Sequence, residues 1–161
     1  MAVPRGWFGG FMEDAQSGVP MFLNFNPGKI HPRGDRLPNG GAVIGVVAGD
    51  ELPGAGSPPK WLRSPRDWLS DDVRAARPSP TPVIAPMEFP REAGVPNAAM
   101  VAYDVPAYSP QEQQQHCVRI AWEFEKKLFG AHLFYVRGDP KGPLYERAFL
   151  ETIRSIRPLA K

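Results

Sequence analysis

Three histidines, one cysteine and a few closely spaced carboxylates are the residues here whose types suit chemistry. His116, Cys117 and His132 share one stretch, HCVRIAWEFEKKLFGAHLFYVR, from His116 to Arg137. Nitrogen and sulfur donors together would suit zinc, but the spacing argues against it. Neighbours on an extended chain point to opposite faces, so His116 and Cys117 do not share an ion. His132, read as lying beside a turn, stands far from His116 at the other end of its strand. No further ligand has zinc-like spacing, so no metal and no cofactor is expected. Cys117 reads as a small, half-buried strand residue.

Glu123 and Glu125 lie on one strand face with Arg119, a carboxylate pair of the kind acid–base chemistry uses. The competing reading, a solvated face of a half-exposed sheet, is preferred. Asp71 and Asp72, on a helix, read the same way. Ser57 and Lys60 make an S-x-x-K, but Pro58 and Pro59 between them cannot supply the helical turn that aims such a lysine. Neither G-x-S-x-G nor H-E-x-x-H occurs. No glycine cluster leads into a helix with a following Lys-Ser or Lys-Thr, so a phosphate cradle is unsupported. No catalytic residue is therefore predicted. The candidate binding residues are aromatic: Trp7, Phe8, Phe11 and Trp61, which near loops would line a groove for a partner. Anchoring of loops to the core is the competing reading for them and for Trp68.

The elements that position these residues follow from periodicity. Val118, Ile120, Trp122 and Phe124 alternate with Cys117, Arg119, Ala121 and Glu123, the period of a half-buried strand. A turn containing Gly130 is expected next, then a second strand over 133–136, closing an antiparallel hairpin at the middle of the sheet. Earlier strands are expected at 19–26, 42–48, 83–89 and 98–105. Pro86 and the flanking prolines make the 83–89 strand an edge strand. Ser64 reads as a helix N-cap, with Pro65 at the first helical position and Asp67 completing a variant capping box. That helix carries Trp68, Leu69, Val73 and Ala76 on one face and ends before Pro78. A last helix runs from about residue 143 to 156, with Tyr145, Phe149, Ile153 and Ile156 on its apolar face and an Arg147–Glu151 pair on its wet one.

The chain of 161 residues suffices for one domain with a core, and the surplus among its 20 prolines and 16 glycines lies in connections, with long ordered loops expected at 27–41 and 49–60. Nineteen basic and seventeen acidic residues give a net charge of +2, too mild to imply nucleic acid or an anionic membrane as partner. No apolar run approaches a membrane span. One cysteine permits no internal disulfide. The start, with Pro4 and Trp7 and no apolar h-region, predicts a cytosolic protein or a mature form whose targeting segment has been removed, and favours the second. The sum is an α+β domain, a central, mostly antiparallel sheet with helices against its faces.

Several of these pieces form a known pattern. Pro4, Gly6 and Trp7 precede a strand. Leu37, Pro38, Gly40, Gly41 and Ala42 lead into a central one. Asp67, Trp68 and Leu69 lie on a helix. Arg137, Gly138, Asp139 and Pro140 precede a helix with Tyr145 and Phe149 that closes on Ile153, Ser155, Ile156, Arg157 and Pro158. Over nearly its whole length the chain resembles the PsbP-like superfamily, which includes DcrB-related envelope proteins and Mog-type Ran-binding proteins. That resemblance implies an α/β/α sandwich, a single domain over 1–161, and no catalytic residue set. The long proline-rich loops and the missing leader depart from it. The function expected first is a non-enzymatic protein-binding or accessory domain of a bacterial envelope. It would be periplasmic or exported, and a monomer or weak homodimer, holding another protein by an exposed sheet face or by its aromatic loops. The alternatives are a cytosolic chaperone for a secreted effector, and a small metal-dependent or hydrolytic enzyme using Glu123 and Glu125 or a histidine.

Overall fold

A computed structural model describes residues 8–13, 20–26, 42–48, 64–93, 95, 97–105, 113–124 and 127–156, the first three segments as backbone. Among the described residues there are seven strands, in chain order β1 (Phe8–Glu13), β2 (Pro20–Asn26), β3 (Ala42–Ala48), β4 (Ala85–Pro86), β5 (Asn97–Val105), β6 (Gln115–Phe124) and β7 (Lys127–Val136). They form one sheet in the order β1-β2-β3-β7-β6-β5-β4, every neighbouring pair antiparallel. Helix α1 (Pro65–Ala76) packs on β5 and β6, and α2 (Gly142–Arg154) on β7. The fold is α+β, with helices flanking the sheet.

Strand alternation sorts the core into two layers. Val118, Ile120 and Trp122 of β6 join Ala131, Leu133 and Tyr135 of β7 against Tyr145, Phe149 and Ile153 of α2. The expected inward face of β6 and the apolar face of the last helix therefore meet. Cys117 and Ala121 of β6 join Ala99, Val101 and Tyr103 of β5 against Leu69 and Val73 of α1. Burying each large aliphatic or phenyl side chain contributes about 2 kcal/mol.

Helix α1 begins and ends where local chemistry requires. Ser64 Oγ accepts the Asp67 N–H at 3.1 Å and donates to the Asp67 carboxylate at 2.8 Å, which answers one orphan donor of α1. Arg77 closes α1 in the left-handed conformation, φ 48°, its N–H on the Val73 carbonyl, ahead of Pro78. At α2, the Asp139 side chain accepts the Lys141 N–H at 2.8 Å, and Arg147 donates to Glu151 at 2.9 Å.

The structure corrects the sequence reading at several places. Gly130 is not in the turn: Phe124 pairs with Lys127, and Gly130 lies inside β7 opposite Ala121. A Cβ there would come within 3.1 Å of the Trp68 ring, so glycine is present because an indole lies on the strand. The second hairpin strand is accordingly ten residues long, not four. The strand expected over 83–89 shrinks to Ala85–Pro86 at the sheet edge; Pro82, Pro86 and Pro90 remove the donors a longer ladder needs. The Arg119 face of β6 is not solvated where α1 covers it.

Candidate functional site

Two polar clusters occupy opposite faces of the same strands. The first lies under α1. Arg119 of β6 reaches across to α1 and donates to Asp72 at 2.7 Å, both side chains about three-quarters buried. The guanidinium rests over the Phe134 ring, 5.6 Å from its centroid. Cys117 and Tyr103 face each other across the β5–β6 ladder, and His132 stands opposite Arg119 on β7. Burial lifts the Asp72 carboxyl above its ordinary range, with Arg119 pulling it back. Burial also works against the Arg119 charge, but Asp72, Cys117 and Tyr103 more than offset it and hold the guanidinium protonated. Burial pushes the Cys117 thiol up to about 11, against the pull of Arg119 and Tyr103. Burial first, then the Arg119 charge, brings His132 down to about 4. The cluster is thus a fixed cation and a carboxylate among groups held neutral.

Its chemistry is limited by space and access. Trp68, Asp72, Arg119, Gly130 and His132 line a cavity of about 40 Å³, room for roughly two or three waters and too small for a substrate. Arg119 Nε is buried without a hydrogen-bond partner among the described residues. A fully buried thiol with a raised pKa is a poor nucleophile.

The second cluster lies at one end of the α2 face. The β5–β6 register sets Asp104 opposite His116, and the β6–β7 register sets His116 opposite Tyr135. Asp104 Oδ1 is 2.7 Å from His116 Nδ1, and Asp104 Oδ2 is 3.1 Å from Arg137 Nε. The other ring nitrogen, Nε2, faces Glu146 Oε1 at 3.7 Å. That same Glu146 oxygen accepts the Tyr135 hydroxyl at 2.5 Å. Burial, then the Glu146 hydrogen bond, raises the Tyr135 phenol above its ordinary range. Burial and Asp139 do the same at Tyr145, whose ring packs on Tyr135. The Tyr135 ring also explains a glycine at the start of α2, since a Cβ on Gly142 would come within 2.7 Å of it. This rim is half-exposed, and its named charges are three carboxylates (Asp104, Asp139 and Glu146) against one guanidinium, Arg137.

Next to the rim, the outer edge of β5 is open among the described residues. The Ala98 carbonyl accepts the Met87 N–H at 3.0 Å, so the backbone groups of Ala98 face β4. Alternation turns those of Met100, Ala102 and Asp104 the same way. β4 pairs only with Met100 and Ala99. Among the described residues no strand stands opposite Ala102 and Asp104 on that side, and Ala102 is exposed.

The sequence-derived site residues fare unevenly. Trp7 and Trp61 lie outside the described residues, as do the 27–41 and 49–60 loops and Glu125. Phe8 and Phe11 fall on β1, opposite Asn26 and Leu23, where only backbone is described. His116 and His132 are three rungs apart and on opposite faces, so the separation expected of them holds, though not because His132 adjoins the turn. Glu123 lies 3.5 Å from the Asn97 amide. Asp72 is not a wet helix carboxylate but half of the ion pair with Arg119. The rim went unseen, although one signal was available: a strand ending at Val105, a loop, and a strand starting near His116 predict the Asp104–His116 pairing.

No helix among the described residues is long and apolar enough to cross a membrane, and none of their His, Cys, Asp and Glu side chains form a metal-binding group of three. No family model and no curated protein matches this chain. Among solved structures it is similar to PA94 of Pseudomonas aeruginosa, a protein of unknown function, at a TM-score of 0.47 and 12% identity over 78% of each chain.

Proposed function

We propose that this chain is a non-enzymatic protein-binding or accessory domain, and that it holds an extended segment of another protein along the outer edge of β5. The observation that carries this reading is the shortness of β4, which leaves the N–H and C=O groups of Ala102 and Asp104 facing outward. An open edge recruits a strand by main-chain hydrogen bonds. The interior polar cluster supports the same reading, because its groups are engaged with one another beneath α1. The resemblance to the PsbP-like superfamily supports an envelope protein, periplasmic or exported, that works as a monomer or weak homodimer.

The test uses the full chain as bait in the native host, beside an Ala102→Pro variant. Proline removes one outward donor and fits an edge strand, so the variant is expected to melt near the parent temperature. A partner captured by the parent and lost by the variant is the expected result. A partner retained equally by both overturns the reading. Fractionation of the host is expected to find the protein outside the cytoplasm.

The 2.7 Å Asp104–His116 contact favours a second reading, a small hydrolase with an oriented histidine base. Its Nε2 faces the Glu146 carboxylate, so this reading requires Glu146 to receive or position a substrate group. Hydrolysis of ester or phosphoester probes that vanishes in His116→Asn would support it. Equal rates in parent and variant would end it.

A further inference from the structure

Asp104 belongs to two features at once. Its backbone groups face outward along the open edge of β5, and its side chain is a member of the acidic rim. In an antiparallel ladder, directly opposed residues project on the same face and their side chains meet. A residue of an added strand opposite Asp104 therefore projects on the α2 face, beside the Asp104 carboxylate, His116 and Glu146. Asp104 and Glu146 side chains are 31% and 41% exposed, so both carboxylates are open to solvent on that face. The exposure of Ala102, next along that face, leaves room for the neighbouring residue of the added strand.

The rim's sign selects what sits there. Its three carboxylates stand against one guanidinium and the His116 ring, in a chain whose total is +2. Arg137 already pairs with Asp104 Oδ2, while Glu146 has Tyr135 and His116 as neighbours and no guanidinium or ammonium within ion-pair distance among the described residues.

We infer that the segment taken up by the β5 edge is basic, with a lysine or arginine opposite Asp104 held by the Glu146 and Asp104 carboxylates. This rests on the edge-binding reading and adds the chemistry of the partner. A second copy of this chain is disfavoured as occupant, since pairing β5 with β5 brings two acid-rich rims to one edge.

The experiment titrates the full chain with short peptides of alternating threonine and valine, carrying lysine, glutamine or glutamate at the central position. Parent, Glu146→Gln and Ala102→Pro proteins are compared at low and high salt, with sedimentation of each protein alone. The lysine peptide is expected to bind about tenfold tighter than the glutamine peptide, the worth of one charge-assisted contact. Glu146→Gln is expected to remove most of that advantage, and high salt to shrink it. Ala102→Pro should weaken all three peptides. Equal binding of the three, still lost in Ala102→Pro, overturns the basic partner and keeps the edge. Binding indifferent to Ala102→Pro, or no binding by any peptide, overturns both. A dimer that dissociates in Ala102→Pro makes a second copy the occupant and overturns the basic segment.

Discussion

The interior and rim clusters hang on the same β5–β6–β7 ladder, a few rungs apart, yet burial gives them opposite properties. Under α1, Arg119 and Asp72 are mostly removed from water and sit among groups kept neutral: the Cys117 thiol, the Tyr103 phenol and His132. At the rim, carboxylates outnumber the guanidinium and stay partly in water. A mostly buried ion pair gives little net stability against an apolar replacement, but breaking it is costly. A half-exposed one is worth little either way. The interior cluster is thus committed to the fold, while the rim carboxylates stay open to water.

The largest expected effect breaks the interior pair on one side. Arg119→Met leaves the Asp72 carboxylate unpaired beneath Trp68, and unfolding free energy should fall by about 3 kcal/mol in a denaturant titration. The double variant with Asp72→Leu should recover most of that. A double variant no better than the single one would show that the guanidinium does more than answer Asp72.

His132 gives the interior cluster a pH signature. The folded protein delays its protonation from an ordinary 6.5 to about 4. Between these values the unfolded chain binds more protons, so the contribution is complete above pH 6.5 and lost as pH falls toward 4. It amounts to roughly 3 kcal/mol at most. His132→Gln should flatten the stability profile over that window, measured against the parent by urea unfolding. An unchanged slope would mean that the ring is wetter than its position under α1 implies.

Gly130 tests how closely α1 approaches the sheet. Gly130→Val pushes the Trp68 indole off β7 and should cost about 2 kcal/mol, with a shift in tryptophan emission. Full stability with unchanged emission would place the indole elsewhere.

At the rim, Glu146→Gln should change unfolding free energy by less than about 1 kcal/mol, with even this difference fading in high salt. A loss as large as that of Arg119→Met would erase the contrast between the clusters.

What the sequence could and could not reveal follows the same division. The α2 layer was legible because Val118, Ile120 and Trp122 alternate strictly and Tyr145, Phe149 and Ile153 recur at helical spacing, so one period predicts each face. The Ser64 cap and the Arg77–Pro78 stop were legible because capping is local. The α1 layer was legible only in part: Leu69 and Val73 recur at helical spacing and are buried as expected, but its charges were not legible. Arg119 and Asp72 are 47 positions apart, and either charge alone reads as wet; only the packing of α1 over β6 shows that both are mostly buried. Gly130 misled for a related reason. A glycine in a hairpin signals a turn, unless an aromatic ring distant in sequence needs the space. The rim needed the β5–β6 register, which depends on where two strands end.

Amide hydrogen exchange along β5 in the free protein most directly tests whether its edge is open. Met100 faces β4, and Val101 and Tyr103 face β6, so their amides should be protected like the core. The amides of Ala102 and Asp104 face outward and should exchange at loop-like rates, giving a residue-by-residue alternation that stops where β4 begins. Uniform protection from Asn97 to Val105 would mean that the edge is already covered, and would contradict the proposal that it takes up a strand from a partner.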